Sequence, residues 1–203
     1  MATVQRKQYS QVLRAYNSGK TAKEVSDGLG VDIDAVYYFM RKHKIPRRSL
    51  AVRNKLVFAK KRPSFLLKRV LGKNDVRLKL LGVAIYWAEG YKSDKAKCVD
   101  LANSDPDMIR IFMKFLRNVC GVDENRLRVL LYCHDRQKIP ELIAYWSHLT
   151  KISPRLFTKP YVPKRISSPN HRKMSRGLIH VRYYDKKLLQ LILSWIEEYK
   201  KIA

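Results

Sequence analysis

The chain has 203 residues, 46% of them hydrophobic, and carries 43 Lys and Arg against 17 Asp and Glu, a formal net charge of +26. That apolar content builds a core, so a disordered basic tail is excluded, and the length suits one domain or a small one followed by a medium one. The charge excludes an acidic scaffold and points to a polyanionic partner. No run of eighteen apolar residues occurs, and the N-terminal MATVQRKQYSQ has no apolar signal region. A membrane span and export are therefore not expected, and the cytoplasm, or the nucleoid in a prokaryote, is the expected compartment. Cys98, Cys120 and Cys133 are an odd set without a CxxC pair, which fits reduced, buried thiols better than disulfides or zinc, with Cys133-His134 the only adjacent ligand pair.

From the N-terminus, Val12, Leu13 and Tyr16 have helical spacing, and Asn17-Ser18-Gly19 breaks the pattern. Thr21 then caps a second helix, with Glu24 completing a capping box, Ala22, Val25 and Leu29 facing inward, and Gly30 as the stop. Asp32 caps a third helix running to about His43, with Ile33, Val36 and Met40 inward, and Pro46 prevents its continuation. Two short helices joined by a Gly-containing turn form a helix-turn-helix arrangement. A small helical bundle for protein contacts is the plain alternative.

A basic segment follows. Residues 41–79 contain fifteen Lys or Arg and one acid, Asp75, a net +14. A second stretch, 142–184, has nine Lys or Arg and no acid before Asp185. Clustering of this kind is the footprint of polyphosphate binding, because each cation placed on a phosphate releases condensed counterion. An anionic membrane prefers an amphipathic basic helix; Leu50 to Leu71 half fits that description, and no membrane partner is expected.

Lys79 to Gly90 reads as an apolar helix with small residues at Gly82, Ala84 and Ala88 and one carboxylate, Glu89, at its end. Small residues at this spacing let two helix backbones approach closely. The macrodipole disfavours an acid at a helix C-terminus. Metal binding would give Glu89 a reason to be there; an exposed glutamate with no task is the alternative. Lys97 to Asn103 alternates as a strand, Asp105 to Val119 is an amphipathic helix, and Arg126 to Cys133 is a second strand. Pro140 to Leu149 reads as a helix, Ser153 to Arg176 with its four prolines as an irregular basic loop, Leu178 to Tyr184 as a strand, and Lys186 to Tyr199 as a closing helix. The fold class expected is α+β with an antiparallel sheet half covered by helices. The domains expected are 1–50, a partly helical basic linker over 51–75, and 76–203.

Two resemblances rest on these residues. GKTAKEVSDGLGVDIDAVYYFMRKHKIPRRS resembles the DNA-binding modules of resolvases and transposases. The resemblance implies that the third helix enters the major groove of double-stranded DNA, with Asp34, Ala35, Tyr37, Tyr38 and Arg41 near base edges and Arg47 and Arg48 on phosphate or minor groove. Lys42, Arg53, Lys60, Lys61 and Arg62, together with Lys164 and Arg165 of the later loop, complete the expected DNA contacts. GVAIYWAEG, then a strand ending Ala102-Asn103-Ser104-Asp105, then a helix closing at Cys120-Gly121-Val122, resembles the LAGLIDADG homing endonucleases. Its saddle-shaped fold would span Val76 to Tyr199. Ala84 stands for the usual middle glycine, Trp87 for the first acid and Glu89 for the second, the one the family uses as metal ligand.

That resemblance implies a homodimer, because the motif helix occurs once. Gly82, Ala84, Ile85 and Ala88 would form the dimer helix, and two Glu89 carboxylates would flank the axis. Mg2+, or Mn2+, suits so sparse a ligand set, since it retains waters and takes phosphate oxygens. A basic residue should lie near to offset developing charge; Lys159 in FTKPY is the first candidate and Lys92 the second, with His134 read as structural. The leading expectation is a sequence-specific, metal-dependent DNA endonuclease. A cleavage-inactive transcription regulator on the same fold is the alternative, and an RNA-splicing maturase a third reading that the helix-turn-helix module disfavours.

Overall fold

The computed structural model describes residues 3–134, 137–163 and 175–202. Two compact units divide the chain, Met1–Arg62 and Pro63–Ala203.

In the first unit, α1 (Tyr9–Asn17), α2 (Ala22–Leu29) and α3 (Ile33–Lys42) are followed by α4 (Leu50–Lys60). The capping box forms: the Glu24 amide donates to Thr21 Oγ1 at 3.1 Å, and the Thr21 amide to Glu24 Oε2 at 2.6 Å. Gly30 ends α2 at φ 65, a left-handed conformation in which a Cβ is strained. Asp32 then receives the Asp34 amide at 2.8 Å and opens α3. Val12, Tyr16, Ala22, Val25, Val36, Phe39, Met40 and Ile45 make the core. Phe39 replaces Ile33 in the innermost set, since Val36, Phe39 and Met40 share one stripe at i, i+3, i+4 while Ile33 is half-buried.

The unit boundary falls at Arg62, not at residue 50, and 51–75 is not a linker. Leu50–Lys60 forms α4, whose Leu56 lies over Gly19 and whose Lys60 pairs with Glu24. Residues after Pro63 belong to the second unit. The Ser64 amide and hydroxyl both donate to Asp185, at 2.8 and 2.7 Å, and the amides of Leu66 and Lys68 donate to the carbonyls of Gly121 and Val119. A run of basic residues reads as a solvated linker, yet here it is the outer side of a helix and then of a docked strap.

The second unit is α+β. Its order is α5 (Lys73–Glu89), β1 (Val99–Asn103), α6 (Pro106–Asn118), β2 (Leu127–Tyr132), α7 (Ile139–Thr150), β3 (Leu178–Tyr183) and α8 (Lys186–Lys200). The strands form one antiparallel sheet in the order β1-β3-β2, with Leu101 and Val129 both opposite Val181. Alternation buries Val99, Leu101, Leu127, Val129, Leu131, Ile179, Val181 and Tyr183 on one side of it. That side carries α5, α6 and α8, with α7 on α6. Asn103-Ser104-Asp105-Pro106 is the β1-to-α6 turn: Asp105 accepts the Asp107 amide at 2.7 Å, and Pro106 occupies the first helical position.

Of the expected irregular loop, residues 164–174 lie outside the described residues, and 153–163 carry regular contacts. A short 3-10 turn, Pro154–Leu156, precedes parallel bridges from Phe157 to Val129 and from Tyr161 to Tyr132. The open edge of β2 accounts for this, since its unpaired backbone groups accept the Thr158 and Tyr161 amides, both at 2.8 Å. Cys120 and Cys133 are buried and Cys98 half-buried, all as free thiols, and burial raises the pKa of each. Among the described residues no helix is long and apolar enough to cross a membrane.

Candidate nucleic-acid interface

The outward side of α3 presents Asp34, Tyr38, Arg41 and Lys42, all exposed and on one face by helical spacing. Tyr38 keeps 60% of its surface open. Tyr37 is half-buried, and the Arg47 guanidinium stacks 4.1 Å above its ring. Arg48 differs from Arg47. Its guanidinium lies 3.9 Å over Tyr16, donates to the carbonyls of Tyr16 and Lys20, and its amide donates to the Tyr16 hydroxyl at 2.9 Å. Arg48 therefore closes the C-terminal end of α1, a structural engagement beside the phosphate or minor-groove contact expected of it. Lys60 is likewise engaged, bonded to both Glu24 oxygens at 2.8 Å, because α4 folds back on α2. Arg53, Lys61 and Arg62 are exposed. Lys164 and Arg165 lie outside the described residues.

Glu89 ends α5 exposed, and no ion pair among the described residues involves it. Lys92 sits at the same helix end, its ammonium bonded to the carbonyls of Trp87 at 2.9 Å and Gly90 at 2.7 Å. A cation on the last carbonyls offsets the macrodipole that an acid there would aggravate. Gly90 is required by close approach, since a Cβ would enter the Tyr86 ring. Its amide bonds back to Tyr86, Tyr91 bonds to Asp100, and Gly90 bridges to Leu101, so the motif helix feeds directly onto the β1 edge.

Lys159 is not near this point. Gly90, Leu101, Val181, Val129 and Phe157 form one row across the sheet. Four strand spacings put Phe157 about 19 Å from Gly90. Lys159, two residues on, stands at the margin opposite Glu89, whereas Lys92 stands beside it. The four expected dimer residues also separate. Gly82 faces inward, where a Cβ would collide with Phe115 of the same chain, and half-buried Ile85 packs on the core. Ala84 and Ala88 face outward with exposed Val76, Leu80, Leu81 and Trp87. The close helix contact at Gly82 is thus made with α6 and not with a second copy.

The open side of the sheet brings together polar residues that are far apart in sequence. Asp100, Arg182 and Arg128 occupy one cross-strand row, and Ala102, His180 and Leu130 the next. Asp100 accepts from Arg182 Nε at 2.7 Å and lies 2.8 Å from His180 Nδ1. Burial pushes the Asp100 carboxyl up, but these two hydrogen bonds outweigh it and hold the group below its ordinary range. Burial lowers Arg182, and Asp100 more than restores it. Period-two alternation could have shown Asp100, His180 and Arg182 to be outward; only the pairing register brings them together.

Among the described residues no three His, Cys, Asp or Glu side chains cluster as a metal site. Compared with known proteins, the chain matches no family model, no curated protein and no solved structure.

Proposed function

We propose that this chain is a sequence-specific double-stranded DNA-binding protein and a divalent-metal-dependent endonuclease of the LAGLIDADG homing type, acting as a homodimer. Binding rests on the α3 face, where Tyr38, Arg41 and Lys42 are exposed in a helix-turn-helix setting. The observation that carries the nuclease reading is Glu89. It is an exposed carboxylate without an ion-pair partner among the described residues, at the end of a helix whose stretch 80–88 is apolar on its outer side as well as its inner one. A stretch apolar all round is one that gets buried, and a second copy packed on Leu80, Ala84 and Ala88 would bury it.

The donor set fits Mg2+ or Mn2+ as a sparse site. Glu89 would supply one hard oxygen per chain, with the second copy's Glu89, water and phosphate as the further donors such an ion accepts. A bound divalent ion supplies Lewis acidity and an activated water there. Glu89 itself holds charge at the helix end, and Lys92, fixed on the Trp87 and Gly90 carbonyls, offsets charge developing on phosphate.

Selection from a randomised duplex library with magnesium or manganese, followed by sequencing of bound and cut ends, tests the reading. Wild type should bind a defined site and cut it, and Glu89→Gln should bind without cutting. Binding with no cleavage by either protein instead supports the second reading, a cleavage-inactive regulator.

A further inference from the structure

The C-terminal ends of α6 and α7 enclose a cavity of about 770 Å³ on the helix side of the sheet, at the margin opposite Glu89. One tightly held turn builds most of its wall. Ile152 is anchored in the core, with its amide on Thr150 Oγ1 at 3.2 Å and its carbonyl receiving the Ser147 hydroxyl at 2.7 Å. Pro154 then fixes the first position of the 3-10 turn. With Ile152 held inward, Lys151, Ser153 and Arg155 all line the cavity. Across from them Arg117 grips Glu124 through Nε and Nη2, at 2.7 and 2.9 Å, and gives Nη1 to the Thr150 carbonyl at 2.7 Å. The acid in the wall is thereby neutralised, and so is the last carbonyl of α7, whose negative end would repel an anion.

Lys151 and Arg155 are left over. Both are exposed, neither makes a hydrogen bond or ion pair among the described residues, and the Ser153 side chain does not cap the turn it opens. Lys151 is also held at φ 58, in the place after a helix where a residue without Cβ is favoured. A lysine kept there against that preference points to a use for its side chain.

We propose that this cavity binds the phosphate group of a small molecule, taken by Lys151, Arg155 and the Ser153 hydroxyl. Two unpaired cations and a free hydroxyl on a preformed turn offer charge-assisted donors at little ordering cost. The volume exceeds what one phosphate fills and lies in the range of sites for ligands of nucleotide size, with half-buried Leu156 as an apolar wall. The site is independent of the duplex and nuclease readings.

Isothermal titration calorimetry on the full chain tests it, with inorganic phosphate, adenosine triphosphate and adenosine as probes. Wild type should bind the triphosphate and not adenosine. Lys151→Gly and Arg155→Gln should each weaken the triphosphate by about tenfold or more. Glycine is at ease at φ 58, so the melting temperature of Lys151→Gly should not fall, and its loss of binding is not a loss of fold. Lys7→Gln, which removes one exposed charge from the N-terminal unit, should bind as wild type. Tighter binding of the triphosphate than of inorganic phosphate assigns the remaining volume to an organic part, and equal binding assigns phosphate itself; either supports the proposal. No binding of either phosphate-bearing probe, an unchanged affinity in either cavity variant, or an equal loss in Lys7→Gln, the mark of diffuse attraction to a chain of net charge +26, overturns it. A mixed-sequence duplex is titrated in parallel. If the two cavity variants weaken the duplex as much as the triphosphate, the cavity belongs to the nucleic-acid surface and the proposal falls.

Discussion

The two units are held together differently. The N-terminal unit has a small apolar core around Val36 and Met40, closed by polar contacts: Arg48 on Tyr16 and Lys20, and the Thr21–Glu24–Lys60 set. The C-terminal unit has a continuous core in which Tyr86, Phe112, Phe115 and Trp146 are fully buried. Charge therefore means different things in each. In the first, a cation can belong to the fold, as Arg48 and Lys60 do, or to the surface, as Arg41 and Lys42 do. In the second, the apolar core leaves Glu89 at the surface and Arg182 half-buried against Asp100.

The largest expected effect is electrostatic and tests whether the surface cations bind a polyanion at all. With about six to ten phosphates neutralised, duplex affinity should fall by about 10³- to 10⁵-fold between roughly 50 and 200 mM salt. Replacing Lys42 by Ala should reduce the slope of log affinity against log salt by about one. A flat salt response refutes the polyanion reading.

Next is the apolar core. Trp146 is fully buried and its indole donates to the Arg176 carbonyl at 2.7 Å, so Trp146→Ala should cost about 3–5 kcal/mol. Calorimetry should show the C-terminal transition move down and the N-terminal one stay. Movement of both would mean that the units do not unfold separately.

The sharpest contrast lies within one unit. Arg41→Ala should cost about 1–3 kcal/mol of duplex binding at one or two base pairs and leave the melting temperature unchanged. Arg48→Ala should do the reverse, destabilising the N-terminal unit by about 1–3 kcal/mol through carbonyls left without a donor, with no change in preferred sequence. The same pattern from both variants would erase the distinction between structural and surface cations.

The smallest effect is in acid. The Lys60 ammonium, with the Thr21 amide, holds the Glu24 carboxyl down at about 2. A carboxyl depressed in the folded state stabilises fully above its ordinary range and loses that contribution as pH falls towards about 2. The N-terminal transition should therefore weaken across that acid range, and Lys60→Met should flatten the dependence. The shift should be small, since both side chains are well exposed.

Much of the local structure was legible because its causes are local. Thr21, Glu24, Gly30 and Asp32 bound α2 and α3 through their own backbone chemistry, and the strands at Val99–Asn103, Leu127–Tyr132 and Leu178–Tyr183 follow from alternation. At the candidate site, the outward residues of α3 follow from helical spacing, and the place of Glu89 at a helix end follows from the Gly90 after it. Arg48, Lys60 and Gly82 were not, because each is fixed by a partner far away in sequence: Tyr16, Glu24 and Phe115.

The sequence by itself determined the helix caps, the strand periods, the charge and the single terminal glutamate, all set by residues within a turn or two of one another. Only the tertiary structure decided that Gly82 serves the unit's own packing, that Lys92 and not Lys159 stands beside Glu89, and that Tyr132, Tyr161 and His180 form one row. Strand order and register are set by burial of whole sheet faces, a property of all the strands together, and no single segment encodes which neighbour it will meet.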